Sequence, residues 1–115
     1  MDSSSPAITT QGAASVDPAT VLVAIPTLNE ERHIRGTLNA VIGDGSAPFK
    51  VVVADGGSAD KTREIVTEMA KSSAQIHLIE NPDRLQAAAI NRVVENAAEP
   101  HHQVLVRVDA HSEYP

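Results

Sequence analysis

The sequence predicts an α/β fold in three layers, with a mainly parallel sheet between helices. Three observations carry this expectation. Four short apolar runs recur along the chain, separated by stretches of helical period. Two of them, at Val21–Ile25 and Val51–Ala54, are continuous rather than alternating, as in strands buried on both faces. The first two runs end in polar residues followed by helix-start signals, giving the order β-α-β-α-β-α-β. Right-handed crossovers then place the strands parallel. Ligands of such sheets bind beyond the carboxyl ends of the strands, at a topological switch point.

Each element has a local reason. Residues 1–19 are rich in Ser, Ala, Thr, Gly and Pro without periodicity and are read as a disordered tail, leaving 20–115 as the folded part. Val21 to Ile25 forms the first strand, and Pro26 is expected to stop it. Asn29 is read as a helix cap, with Glu30 and Glu31 in the first turn facing the positive dipole end. Ile34, Leu38, Val41 and Ile42 then recur at helical spacing until Gly43, Gly45 and Pro48 end the helix.

Lys50 to Ala54 is the second strand, closed by Asp55-Gly56-Gly57. Ser58 is read as the cap of a second helix, whose apolar face is Ile65, Val66, Met69 and Ala70. Ile76 to Ile79 is a third strand, and Asn81-Pro82 a turn. Leu85 to Ala98 is a third helix with Leu85, Ala89, Val93 and Ala97 on one stripe. Gln103 to Val108 is the fourth strand. At 115 residues the chain makes one domain at most.

Composition narrows the functional classes. Hydrophobic residues are 42% of the chain, but there is one Phe, one Tyr and no Trp, so the core must be aliphatic. Few aromatics and a net charge of −6 without a basic cluster argue against nucleic-acid binding. No cysteine is present, which excludes disulfides and thiolate metal sites. No apolar run approaches the ~20 residues that span a bilayer. The first residues lack a signal-peptide pattern. A cytoplasmic chain is expected, with membrane association only through segments outside it.

Four polar clusters stand at predicted strand and helix ends. Pro26-Thr27-Leu28-Asn29-Glu30 offers helix-start amides to an anion, or is simply a capped helix start. Asp55-Gly56-Gly57-Ser58-Ala59-Asp60-Lys61-Thr62 places a carboxylate at a strand tip, suited to a base N–H or a ribose hydroxyl, or forms an ordinary acidic turn. It contains neither a dinucleotide fingerprint nor a phosphate-cradling Gly-Lys-Ser/Thr loop. Arg84 to Asn91 supplies a cation for a phosphate and an amide, or a solvated helix face. Asp109-Ala110-His111 sets a carboxylate and an imidazole on one side of an extended segment. That pair suits Mn²⁺ or Zn²⁺, whereas Mg²⁺ prefers an all-oxygen shell. His33, His77, His101 and His102 are read as structural or exposed.

Taken in order, the clusters resemble the family 2 inverting glycosyltransferases, which have the Rossmann-like GT-A fold. Pro26, Asn29 and Glu30 match the Pro-x-x-Asn-Glu pattern closing that family's first strand. Asp55, Gly57, Ser58, Asp60 and Thr62 match its Asp-Asp-Gly-Ser-x-Asp-x-Thr, with Gly56 in place of the second Asp. Ala87-Ala88-Ala89-Ile90-Asn91 matches a small-residue run ending in Asn. Asp109 and His111 match its Asp-x-Asp in part. Asp-Gly-Gly-Ser with Arg-Val-Asp-Ala-His and a following Tyr-Pro is similar to the succinoglycan-type exopolysaccharide branch.

The resemblance covers about residues 20–115. It implies that Asp55 and the Pro26–Glu30 loop contact the nucleoside of a nucleoside-diphosphate sugar. Asp109 would lie near its diphosphate, and His111 would stand at the position of a divalent-metal ligand, for Mn²⁺ or Mg²⁺. The acceptor would be a saccharide or a lipid-linked saccharide. The catalytic base of the family lies downstream of Asp-x-Asp, so it is expected beyond Pro115. The chain then corresponds to the donor-binding half of the domain, truncated after about the fourth strand. The alternative is an inactive or non-catalytic nucleotide-binding fragment.

Overall fold

A computed structural model describes residues 17–46, 48–82 and 86–110. Strands β1 (Val21–Thr27), β2 (Lys50–Asp55), β3 (Ile76–Glu80) and β4 (Val104–Arg107) alternate with helices α1 (Ile34–Ile42), α2 (Thr62–Ser72) and α3 (Gln86–Ala97). Every strand pairing is parallel, and the spatial order is β3-β2-β1-β4. The chain steps outward from β1 to β3, then returns past β1 to lay down β4. That reversal puts the topological switch point between β1 and β4.

Alternation along the two central strands builds both interior layers. Val23, Ile25, Val51 and Val53 pack against Ile34, Leu38 and Val66 of α1 and α2. Leu22, Ala24, Val52 and Ala54 pack against Ala89, Val93 and Ala97 of α3. The core is aliphatic, as the composition requires. Small residues on both sides of the second layer leave room for α3 to approach the sheet closely.

Pro26 does not stop β1. It is buried within the strand and sits opposite Ala54 in register. Backbone groups of alternate β1 residues turn toward alternate neighbours. The Ala24 carbonyl accepts from Val108 N, and the Thr27 carbonyl accepts from Gly56 N. Pro26, two residues after Ala24, therefore aims its missing N–H at the β4 side. The registered β1–β4 pairs end there, at Ala24 and Arg107. Proline thus removes the donor that would bond back to Val108, and the β1–β4 ladder ends at this point while the β1–β2 pairing continues past it.

The helix starts also differ from the sequence reading. Helix α1 begins at Ile34 rather than beside Asn29, because the Glu30 carbonyl first closes a turn onto His33 N and Ile34 N. Helix α2 begins at Thr62, with Asp60 rather than Ser58 accepting its first amide. Gly43 ends α1 at φ 62, a left-handed conformation that glycine adopts without strain. Part of the expected tail is ordered: Pro18–Thr20 forms a short 3-10 turn, with Asp17 accepting from Ala19 N. Residues 1–16 lie outside the described residues. Strand β4 is shorter than expected and stands at the sheet edge, leaving Leu105 42% and Val106 39% exposed.

At the opposite end of the sheet, Lys50 Nζ donates to the Ala97 carbonyl at 2.9 Å and to Glu99 at 3.0 Å. His102 Nδ1 accepts from Glu99 N at 2.8 Å, which requires that nitrogen to be unprotonated. Burial lowers the His102 pKa, assisted by the charges of His101 and Lys50 and opposed by Glu99. Burial likewise lowers the His77 pKa, with Lys50 assisting and Glu99 opposing.

Two measurements check this account. Leu38 is fully buried, so Leu38→Ala is expected to cost ~2–5 kcal/mol in urea unfolding. Val94 is 46% exposed, so Val94→Ala should stay within ~0.5 kcal/mol. Because both histidine values are depressed by folding, the unfolded chain binds more protons below the ordinary imidazole value of ~6.5. Their contribution is complete above that pH and is lost as pH falls below it. The urea midpoint should therefore drop between about pH 7.5 and about pH 5.5, and a His77→Asn/His102→Asn double variant should flatten the drop.

Candidate functional site

The carboxyl edge of the sheet is organised around Asp55, the last residue of β2. Its side chain is fully buried. Oδ1 accepts from Thr27 Oγ1 at 2.8 Å and from Ser58 Oγ at 2.6 Å. Oδ2 accepts from Gly57 N at 3.0 Å and Ser58 N at 2.8 Å. Gly57 has φ 94, a conformation that lets two successive amides converge on one oxygen. Arg63 of α2 places Nε 3.7 Å from the same oxygen. The Asp55 carbonyl accepts from Asn81 N at 2.8 Å, which ties in the end of β3. A buried carboxylate needs this degree of hydrogen bonding to offset its desolvation.

Two loops extend from this centre and cross-link each other. From the β1–α1 loop, Asn29 N donates to Ser58 Oγ at 2.8 Å, Glu30 N to Thr62 Oγ1 at 2.8 Å, and Glu31 N to Asp60 Oδ2 at 3.1 Å. In return, Ala59 N and Asp60 N donate to Asn29 Oδ1 at 2.8 and 3.4 Å, and Lys61 N to Glu31 Oε1 at 2.9 Å. Asn29 has φ 55, a left-handed turn that asparagine tolerates better than most residues. Asp60 also accepts from the Thr62 amide and hydroxyl. Burial works against its charge, but the bonds from Thr62 and Glu31 outweigh that and lower its pKa.

The third part of the edge follows β4, across the switch point. Val108 N is held by the Ala24 carbonyl at 3.0 Å. Ala110 is buried, and Thr37 Oγ1 of α1 donates to its carbonyl at 2.8 Å. These contacts fix Asp109 between two anchored neighbours. Its side chain is 40% exposed and lies 3.2 Å from Arg107 Nη2.

The residues singled out in the sequence thus have distinct placements. Pro26, Asn29, Glu30 and Asp55 are brought together at the ends of β1 and β2. Asp109 stands apart from them, beyond β4. Arg84 and His111 lie outside the described residues. The Asp55 carboxylate, expected to meet a base or ribose directly, points inward to four donors of its own chain. The amides expected to be open to an anion, those of the Pro26–Glu30 loop, are occupied at Asn29 and Glu30. The neighbouring amides of Glu31 and of Gly56 to Thr62 are occupied as well. Asn29 caps the neighbouring loop rather than its own helix.

Sequence reasoning missed Thr27, Glu31 and Thr37 as structural partners of this edge. Thr27 carried a signal, being a hydroxyl residue at the tip of an apolar strand. The partners of Glu31 and Thr37 are remote in sequence, and no local pattern reveals them. Among the described residues, no helix is long and apolar enough to cross a membrane.

Known proteins resemble this chain in sequence and in fold. Over 96 residues the chain is 40% identical to the succinoglycan biosynthesis protein ExoA of Rhizobium meliloti (strain 1021), covering 82% of this chain and 28% of that protein. It is 32% identical over 76 residues to the dolichyl-phosphate beta-glucosyltransferase ALG5A of Trichomonas vaginalis, covering 57% of this chain and 24% of that protein. The chain thus spans about a quarter of the length of these relatives. The mannosyltransferase PcManGT of Pyrobaculum calidifontis, solved with GDP-Man and Mn²⁺, superposes with a TM-score of 0.67 at 28% identity, covering 82% of this chain and 29% of that one. Glucosyl-3-phosphoglycerate synthase of Mycobacterium tuberculosis shares the fold, with a TM-score of 0.60 at 18% identity over 93% of this chain and 38% of that one. The architecture is that of the GT-A glycosyltransferases. Residues 22–115 match the Glycosyl transferase family 2 profile, which spans every element from β1 to β4, so the chain belongs to that family.

Proposed function

We propose that the chain binds the nucleoside-diphosphate end of a sugar donor. It would thereby serve inverting transfer of the sugar to an acceptor hydroxyl in polysaccharide biosynthesis. The observation that carries this reading is the layout of the carboxyl edge. Two cross-linked loops stand on one side of the switch point, and a half-exposed carboxylate stands on the other. Asp55 ends β2 and Asp109 follows β4, two strands separated by β1, roughly 10 Å apart at two strand spacings. An extended ligand fits that separation better than a lone phosphate does.

The chemistry of the two sides supports a division of labour. The loop side has its amides occupied and carries Glu30, Glu31 and Asp60. An unneutralised diphosphate gains nothing there, whereas a base and ribose need only hydrogen-bonding edges and close approach. In this reading Pro26, Asn29 and Glu30 form the nucleoside wall, and Asp55 supports it from behind. Arg84, between β3 and α3 in sequence, is assigned to the donor as a further contact.

The diphosphate then extends toward Asp109. Among the described residues, no group of three or more His, Asp or Glu is arranged to hold a metal. Asp109 is the described carboxylate on this side, and its exposure suits it to ligation. His111 and phosphate oxygens of the donor would complete the shell, a mixed set that suits Mn²⁺ better than Mg²⁺. Bound there, a divalent cation supplies positive charge to the leaving diphosphate. Arg107 meanwhile holds the Asp109 carboxylate in place and must yield part of it to a cation. The acceptor in this reading is a saccharide or a lipid-linked saccharide. Its hydroxyl loses a proton as it attacks the anomeric carbon, and the bond to diphosphate breaks on the opposite face. No residue of the chain is assigned as that base.

Calorimetric titration with UDP-glucose and GDP-mannose, with and without Mn²⁺, tests the proposal. Saturable heat that strengthens with Mn²⁺ is expected for one of them. Asp109→Asn should lose about tenfold or more of the Mn²⁺-dependent affinity. No heat at millimolar donor in either condition would refute donor binding by this chain.

A further inference from the structure

The bonds between the two loops are reciprocal. Three amides of the β1–α1 loop donate to side chains of the β2–α2 loop, and three amides of the latter donate back. Hydroxyl relays connect this seam to carboxylates on the inner side. Asn29 N donates to Ser58 Oγ, which donates to Asp55; Glu30 N donates to Thr62 Oγ1, which donates to Asp60. Thr62 is fully buried, so its hydroxyl has no water to replace either partner. Breaking any one link leaves polar groups on both loops unmatched, and opening one loop removes partners from the other.

We propose that Asn29 and Thr62 are positioning residues that couple the two loops into one cooperatively opening unit, assembled before any ligand arrives. For donor binding this extends the reading above, on which the ligand part rests. A pre-assembled wall spares the donor the cost of ordering two loops. Asn29 is suited to the task because its left-handed backbone and its side-chain oxygen act together, so one residue both turns the first loop and grips the second. Thr62 is suited because a single hydroxyl accepts from one loop and donates within the other.

Native-state hydrogen exchange of the full chain, read residue by residue by NMR, tests the coupling. In the wild type, amides 30, 31, 59, 60 and 61 should exchange through one common opening. Asn29→Gly keeps the left-handed turn but removes the side-chain acceptor. It should accelerate exchange at 59 and 60 and, by a similar factor, at 30, 31 and 61. Thr62→Val should do the same, and Thr62→Ser should restore wild-type rates. Acceleration confined to 59 and 60 in Asn29→Gly, or to 30 in Thr62→Val, would overturn the cooperative unit.

The second arm titrates the same variants with UDP and GDP in Mn²⁺. Loosened variants should bind about tenfold more weakly, the factor carried by one or two lost hydrogen bonds. Thr62→Ser should bind as the wild type does. Leu38→Ala, destabilised away from the loops, should keep its affinity while folded. Coupled exchange with unchanged affinity would overturn the positioning role. A wild type that binds neither nucleotide refutes the donor reading, and the exchange arm still decides the coupling.

Discussion

The carboxyl edge depends on one buried carboxylate. Asp55 ends the second strand, and nothing of its side chain reaches solvent. Water withdrawn from a carboxylate must be replaced, and four donors replace it: two hydroxyls on one oxygen and two amides on the other. Those donors come from β1 and from the β2–α2 loop, while the Asp55 carbonyl holds the residue after β3. Three consecutive strand ends are therefore fixed relative to one residue, two through its carboxylate and the third through its carbonyl. The positive φ of Gly57 belongs to the same requirement, since this turn folds the successive amides of Gly57 and Ser58 back onto Oδ2.

Fixing those ends determines what the edge can do. The cross-linked loops use their amides and hydroxyls on each other, which removes the anion site that a strand-to-helix turn ordinarily offers. They leave an acidic border with no free row of amides. Across the switch point the chain behaves differently. Asp109 is held by its neighbours through Val108 and Ala110, while its own carboxylate stays half-exposed beside Arg107. Pro26 separates the two regimes, because β1 carries no ladder donor where the registered pairing with β4 has ended.

Much of this was legible in the sequence, and the reasons are physical. Continuous apolar runs announced strands buried on both faces, and the helical stripes of α1 and α3 announced which sides pack. Ile34, Leu38, Ala89, Val93 and Ala97 all lie in the core as their spacing required. The motif residues were recognisable because they cluster at strand ends. Their partners were not. A cap is read locally, so Asn29 and Ser58 were expected to serve the helices that follow them. The structure instead sends each across to the other loop or inward to Asp55, a choice set by which strands become neighbours. Pro26 was misjudged for a related reason: whether a missing N–H matters depends on which side of the strand it faces, and register decides that.

The direct test of the Asp55 account is equilibrium urea unfolding of Asp55→Ala and Asp55→Asn beside the wild type. Alanine strands the buried Ser58 amide and two buried hydroxyls, and takes the acceptor from Gly57 N, so a loss of about 3 kcal/mol or more is expected. Asparagine retains one acceptor oxygen for the amides of Gly57 and Ser58, so its loss should be smaller but still above about 1 kcal/mol. Losses below about 0.5 kcal/mol for both variants, the range of ordinary surface substitutions, would contradict the claim that this carboxylate holds the edge together.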